Sequence, residues 1–164
     1  MKRWMVVLAA ATLAGCATMD KAMNVPDFQP GKSTAQDVAK QMGTPALELK
    51  APDGGKAEYF TTFPFGRVTY AVTLGADGVV RGVGQVLTQA NMQKVRKGMT
   101  RQQVLELLGP PREETPDART QETILEYPWM TGNGRKRITW VHVGANGAVT
   151  EVVEREDFEA EPSE

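Results

Sequence analysis

One cysteine, Cys16, one histidine, His142, and two serines, Ser33 and Ser163, are all that this chain offers of the three residue types that most often act as nucleophiles, bases or transition-metal ligands. A serine triad needs Ser, His and an acid brought together. Ser33 opens a helix signal, and Ser163 sits in an acidic tail. A zinc site needs several Cys or His ligands, and His142 has no companion. Alternating neighbours place His142 in a strand, where a structural role outweighs a ligand role. Gly31-Lys32-Ser33-Thr34 copies the end of a phosphate-binding loop, but the first glycine of that motif would fall at Pro26 and no strand precedes it. It reads as a turn into a helix. Many of the carboxylates crowd into residues 151–164, where nothing would raise a pKa for acid catalysis. The residues therefore predict no enzyme, no cofactor and no metal site.

Cys16 points to different chemistry. Met1-Lys2-Arg3 is a short basic start, Trp4 to Thr12 is an apolar run, and Leu13-Ala14-Gly15 brings small residues up to the cysteine. That order is a lipoprotein signal peptide, residues 1–15, cleaved to leave an acylated Cys16. The run is shorter than the ~20 apolar residues a helix needs to cross a bilayer. Ala17 follows the cysteine where enterobacterial lipoproteins retained at the inner membrane carry Asp, so the resemblance implies an outer-membrane anchor on the periplasmic face, with phospholipid as a partner through the acyl chains.

With Cys16 acylated, an oxidising periplasm finds no disulfide to form. The formal net charge of −1 becomes more acidic once Lys2 and Arg3 are lost, which gives no reason to expect nucleic acid. Residues 16–30 read as a tether, with Pro26 and Pro30 and few large apolar groups. Residues 156–164 read as a solvated acidic tail.

Between these ends the chain repeats itself. Thr34…Val38…Gly43…Pro45 has the same spacing as Thr100…Val104…Gly109…Pro111. Further on, Val72-Thr-Leu-Gly75-Ala-Asp-Gly78 matches Val141-His-Val-Gly144-Ala-Asn-Gly147. Two copies of one unit account for this, residues 31–88 and 89–155. Thr34 and Thr100 are N-caps with Asp37 and Gln103 three residues on, a capping box. Gly43 and Gly109 suit a left-handed C-cap, and the prolines behind them stop the helix. A further helix is predicted over Ala90–Lys97, ended by Gly98, while its counterpart in the first copy is left open by Pro26 and Pro30.

After each helix the period changes to two. The strands are predicted near Ala57–Thr62, Val68–Leu74 and Val79–Leu87, then near Thr123–Tyr127, Arg135–Val143 and Ala148–Val153. Asp77-Gly78 and Asn146-Gly147 turn the last pair of each copy. The fold class is α+β: two tandem units, each with a helix or helix pair on a three-stranded antiparallel meander. A unit of about 60 residues buries only ~60% of its unfolded surface. The two should therefore pack as one body.

Asn91-Met-Gln-Lys-Val95-Arg-Lys-Gly98-Met99-Thr100-Arg-Gln-Gln103-Val104, followed by Leu108-Gly109-Pro-Pro111, resembles the SmpA/OmlA or BamE family of small outer-membrane lipoproteins. Tyr127 and the Gly144–Val149 hairpin follow in the order that family shows, so the resemblance covers residues 90–155. Gly31–Leu87 matches it more weakly. The resemblance implies two helices on a three-stranded sheet and a non-catalytic role in the machinery that assembles β-barrels in the outer membrane. Its partners would be subunits of that machinery or another periplasmic protein. The departure is the duplication, since the usual member has one unit. Tandem helix-and-sheet units also resemble the secreted β-lactamase inhibitor proteins, which would imply a protein-binding groove.

Two surface readings follow. Arg135-Lys136-Arg137 precedes a strand, and each cation near an acidic bilayer is worth about 1 kcal/mol. The same cluster equally suits the solvated edge of a hairpin. Trp129, Trp140, Phe63 and Phe65 are candidates for a partner surface or for the core.

Overall fold

The structure is a computed structural model, and it describes residues 27–157. The signal peptide, Cys16, most of the tether and the end of the acidic tail lie outside the described residues.

The first half runs α1 (Ala35–Met42), β1 (Leu47–Lys50), β2 (Lys56–Thr61), β3 (Thr69–Leu74) and β4 (Val80–Gln85). The second runs α2 (Gln89–Met92), α3 (Arg101–Leu108), β5 (Glu113–Asp117), β6 (Glu122–Met130), β7 (Lys136–Val143) and β8 (Val149–Glu156). Each half forms its own four-stranded antiparallel sheet, with strands paired in chain order.

The predicted three-stranded meander is corrected to four strands. The added ones are β1 and β5, which lie at the sheet edges. Glu113-Glu114-Thr115-Pro116-Asp117 contains no large apolar side chain and carries a proline, so it lacks the alternation that marks a half-buried strand. An edge position tolerates both features, because the outward backbone groups face water.

The eight-residue helices α1 and α3 are too short to persist alone. Their ends are held by side chains. Thr34 and Asp37 form a complete capping box at α1, as do Thr100 and Gln103 at α3. Gly43 and Gly109 follow with φ of +80° and +77°, but ψ of −142° and −164° places them outside the predicted left-handed helical region. That positive-φ, extended-ψ corner is essentially reserved for glycine, so the residue is required more strictly than an ordinary C-cap would demand.

The residues leading into each helix are tied to the last strand of the same half. Gly98 N donates to Val149 O at 2.8 Å, and Val149 N donates to Met99 O at 2.7 Å. In the first half Gly31 N donates to Val80 O and Val80 N to Ser33 O, both at 2.8 Å. The Gly98-Met99-Thr100 motif thus positions α3 on its sheet, and its conformation is what the residue types supply: Gly98 has φ +90° and Met99 packs on the core.

Helix α2 is a single turn capped by Thr88, not the predicted Ala90–Lys97 helix. Turns at Gln93-Lys94 and Lys97-Gly98 flank an irregular Val95-Arg96, although Met92 and Val95 are still buried, as their spacing requires. The first half has no equivalent helix among the described residues. Phe28 instead joins Val38, Phe60, Val72, Leu74 and Val80 in the first core.

The second core is larger. Val104 and Leu108 of α3 pack with Met92, Val95, Leu125, Tyr127, Trp129, Val141, Val143 and Val149. Complete burial of each large apolar side chain contributes ~1.5–3 kcal/mol. Leu87 and the partly buried Phe63, both contributed from the first half, also pack into this core. The halves are joined further by Tyr59 Oη, which donates to Glu106 O at 2.8 Å, and by Arg67, whose Nη1 lies 2.6 Å from Asp157 Oδ2.

Candidate functional site

Each sheet has two faces. The inner face of each is covered by its own helix. The outer faces differ, and that difference follows from register.

In the first sheet Tyr59, Ala71 and Gly84 lie side by side on the outer face. The corresponding row of the second sheet is Glu126, Trp140 and Val153. At the Tyr59 end of the first row another element approaches closely. The end of α3 does so: Gly109 lies against Tyr59 and Thr69, where an added methyl would come within 2.8 and 2.9 Å. The outer face of the second sheet carries a shallow groove of about 540 Å³ lined by Ile124, Glu126, Trp140, His142, Val153 and Arg155, among others.

Within this groove Trp140 Nε1 donates to Glu126 Oε2 at 3.0 Å, and Arg112 Nε donates to Glu126 Oε1 at 2.7 Å. His142 Nδ1 lies 3.2 Å from Glu122 Oε2, and Thr150 Oγ1 donates to Glu122 Oε1 at 2.7 Å. The Thr150 hydroxyl first, with His142 beside it, holds the Glu122 carboxyl below its ordinary range. His142 is thus engaged with a carboxylate on a sheet surface. Among the described residues no group of three or more His, Cys, Asp or Glu side chains is placed to hold a metal ion.

The predicted surface residues separate. Trp129 is corrected from surface to core: it is 1% exposed, and its Nε1 donates to Thr139 Oγ1 at 3.0 Å. A large ring on the inner face of β6, beside Tyr127 and Leu125, has only the core to fill. Phe65 is 97% exposed, on a loop closed by Thr62, whose hydroxyl both donates to Val68 O and accepts from Val68 N at 3.1 Å. Arg137 donates to Glu154 at 2.6 Å, and Arg135 lies 3.6 Å from Glu156. These cross-strand pairs offset much of the positive charge in Arg135-Lys136-Arg137 and give the hairpin a mixed-charge surface.

Of the helix motif residues, Thr34, Gly43, Thr100 and Gly109 cap the helices and Val104 packs in the second core, while Pro45 and Pro111 lie just beyond the helix ends. Gly109 has one further role, since Tyr127 Oη donates to its carbonyl at 3.1 Å from within the core. Sequence reasoning passed over Glu126, Ile124 and Val153, because each is an unremarkable strand residue until register sets it beside Trp140.

Among the described residues no helix is long and apolar enough to cross a membrane. No curated protein matches the chain. Among solved structures, a DUF4309 family protein from Bacillus subtilis is similar with 18% identity and a TM-score of 0.31, over 80% of this chain and 83% of that one. A Streptococcus mutans protein described as a candidate β-lactamase inhibitor is similar with 11% identity and a TM-score of 0.29, over 75% and 82%. Likenesses this distant carry no weight for fold or function. Residues 84–125, which hold α2, α3 and the Gly98-Met99-Thr100 and Leu108-Gly109-Pro110-Pro111 motifs, match the outer membrane protein assembly factor BamE domain. The matched segment is 42 of the chain's 164 residues.

Proposed function

We propose that this protein is a lipid-anchored, non-catalytic accessory of β-barrel assembly at the periplasmic face of the outer membrane, held there by acyl chains on Cys16. The BamE domain over residues 84–125 carries this reading. The lipobox Leu13-Ala14-Gly15-Cys16 supports it from the sequence, and a tandem duplication accounts for the matched capping boxes, sheet bulges and Asx-Gly turns of the two halves. The catalytic residue types are scarce, and the polar groups that do cluster, such as Glu122 with His142 and Thr150, are partnered with one another. Anchoring rests on Cys16 and not on Arg135-Lys136-Arg137, whose charge Glu154 and Glu156 largely offset.

Metabolic labelling with palmitate and membrane fractionation test the anchor. The wild-type protein takes up label and sediments with the outer membrane, whereas Cys16→Ser does neither. Deleting the gene lowers the content of barrel proteins in the outer membrane and raises sensitivity to bulky antibiotics. Unchanged barrel content in the deletion strain would remove the assembly role.

A further inference from the structure

The outer face of the second sheet has the composition of a contact surface. One face of an antiparallel sheet commonly meets water, and it then carries polar side chains. Here the middle of that face is Ile124, Trp140 and Val153, brought together by the pairing of Ile124 with His142 and of Trp140 with both Glu126 and Val153. All three are only partly buried, and no described element covers them. The matching face of the first sheet receives the end of α3 on Tyr59 and Thr69. The indole is held in a fixed pose by the chain of contacts Arg112 to Glu126 to Trp140, so little of its freedom remains to be lost on contact.

Charge supplies the complementary information. Glu113 pairs with Glu126 in register and so shares this face at its β5 edge, while Glu151 pairs with His142 and shares it at the β8 edge. Both are exposed, and neither forms an ion pair among the described residues. Glu122, Glu126 and Asp117 add three more carboxylates, against Arg112, Arg119 and Arg155. The rim is net acidic around an apolar centre. An acidic rim repels an anionic bilayer and attracts cations.

We propose that this face docks an extended segment of a partner protein in which an apolar side chain is flanked by two Lys or Arg residues. The apolar side chain lies on Trp140 between Ile124 and Val153, and the cations reach Glu113 and Glu151. Three strand spacings and a small offset along the strands separate those carboxylates by ~15 Å, which an extended chain covers in about four to five residues. Cation, apolar and cation at alternate positions all project from one side of such a chain. This inference is independent of the assembly role and survives or fails without it.

A blocked peptide Gly-Lys-Thr-Leu-Thr-Lys-Gly is the probe, titrated into the purified protein and followed by the indole N–H resonance of Trp140. A saturable shift is expected, weakening at least several-fold at 0.5 M salt and absent with the peptide in which both Lys are Glu. Glu113→Lys with Glu151→Lys should weaken binding at least tenfold at an unchanged melting temperature. The same charge change at Glu48 and Glu106, which lie off this face, should leave it intact. Absence of a saturable shift overturns the proposal, as does equal binding by the two double variants. A shift of the Trp140 resonance by anionic phospholipid vesicles in place of the peptide overturns it as well, in favour of a lipid surface.

Discussion

The phenol of Tyr59, in the first sheet, donates a 2.8 Å hydrogen bond to the main-chain carbonyl of Glu106, in the last turn of α3. The last carbonyls of a helix have no partner within it. Here a side chain from the other half of the molecule supplies one, so the end of α3 is completed only when the halves are docked. Tyr59→Phe removes the bond and keeps the ring, and should cost about 1 kcal/mol. Urea unfolding measures it. An unchanged midpoint would mean that the bond contributes nothing to docking.

Gly43 and Gly109 separate backbone strain from packing. Both have positive φ, so Ala is strained at either position. A methyl at Gly43 meets nothing within 4 Å, whereas at Gly109 it would lie 2.8 Å from Tyr59 Cδ1 and 2.9 Å from Thr69 Cγ2. Gly109→Ala should therefore destabilise more than Gly43→Ala, by roughly the 1–3 kcal/mol typical of overpacking. Tyr59→Ala, which empties the space, should narrow the gap between them. Equal melting temperatures for the two glycine variants would contradict close contact between the halves.

Much of this was legible in the sequence. The Thr-x-x-Asp and Thr-x-x-Gln boxes located both main helices, and the Asp77-Gly78 and Asn146-Gly147 pairs located both final hairpins, because each is a local signal with a local physical cause. The edge strand β5 was hidden because Glu113 to Asp117 shows no alternation, whereas β1 alternates but is only four residues long, too short for its period to stand out. The predicted helix over Ala90–Lys97 shrank to one turn because Val95 and Gly98 are placed by contacts with the core and with Val149. Trp129 and Trp140 could not be told apart by type. Only pairing shows that Trp129 faces α3 while Trp140, on the neighbouring strand, faces out.

Arg67 and Asp157 form an ion pair with both side chains about nine-tenths buried, linking the loop before β3 to the end of β8. Removing one partner of a buried pair leaves a desolvated charge, which typically costs ~3–5 kcal/mol, while replacing both by apolar groups can be nearly neutral. Arg67→Met alone, which leaves the Asp157 carboxylate behind, should therefore lower stability more than Arg67→Met with Asp157→Leu. Equal losses for the single and double variants would show that the charges act independently.

Burial pushes the Tyr127 phenol well above its ordinary pKa of 10.0, and burial followed by the nearby Glu106 carboxylate raises Tyr59. A raised folded-state value means that the full stability is present below the unfolded pKa and is lost as pH rises through and beyond it. Stability should hold up to about pH 10 and then decline steeply, as ionisation draws the chain toward the unfolded state. Tyr127→Phe gives up the bond to Gly109 O at neutral pH but should show a shallower alkaline decline. Urea midpoints from pH 8 to 11.5 measure this, and parallel curves for the two proteins would exclude Tyr127 as the source.

The central claim is tested most directly by affinity purification of the acylated protein from detergent-solubilised outer membranes, with quantitative mass spectrometry of what accompanies it. Subunits of the β-barrel assembly machinery should be enriched at least tenfold over a control lipoprotein of similar abundance, and a chain lacking residues 84–125 should lose that enrichment. Recovery of the intact, acylated protein without enrichment of any assembly subunit would contradict the account.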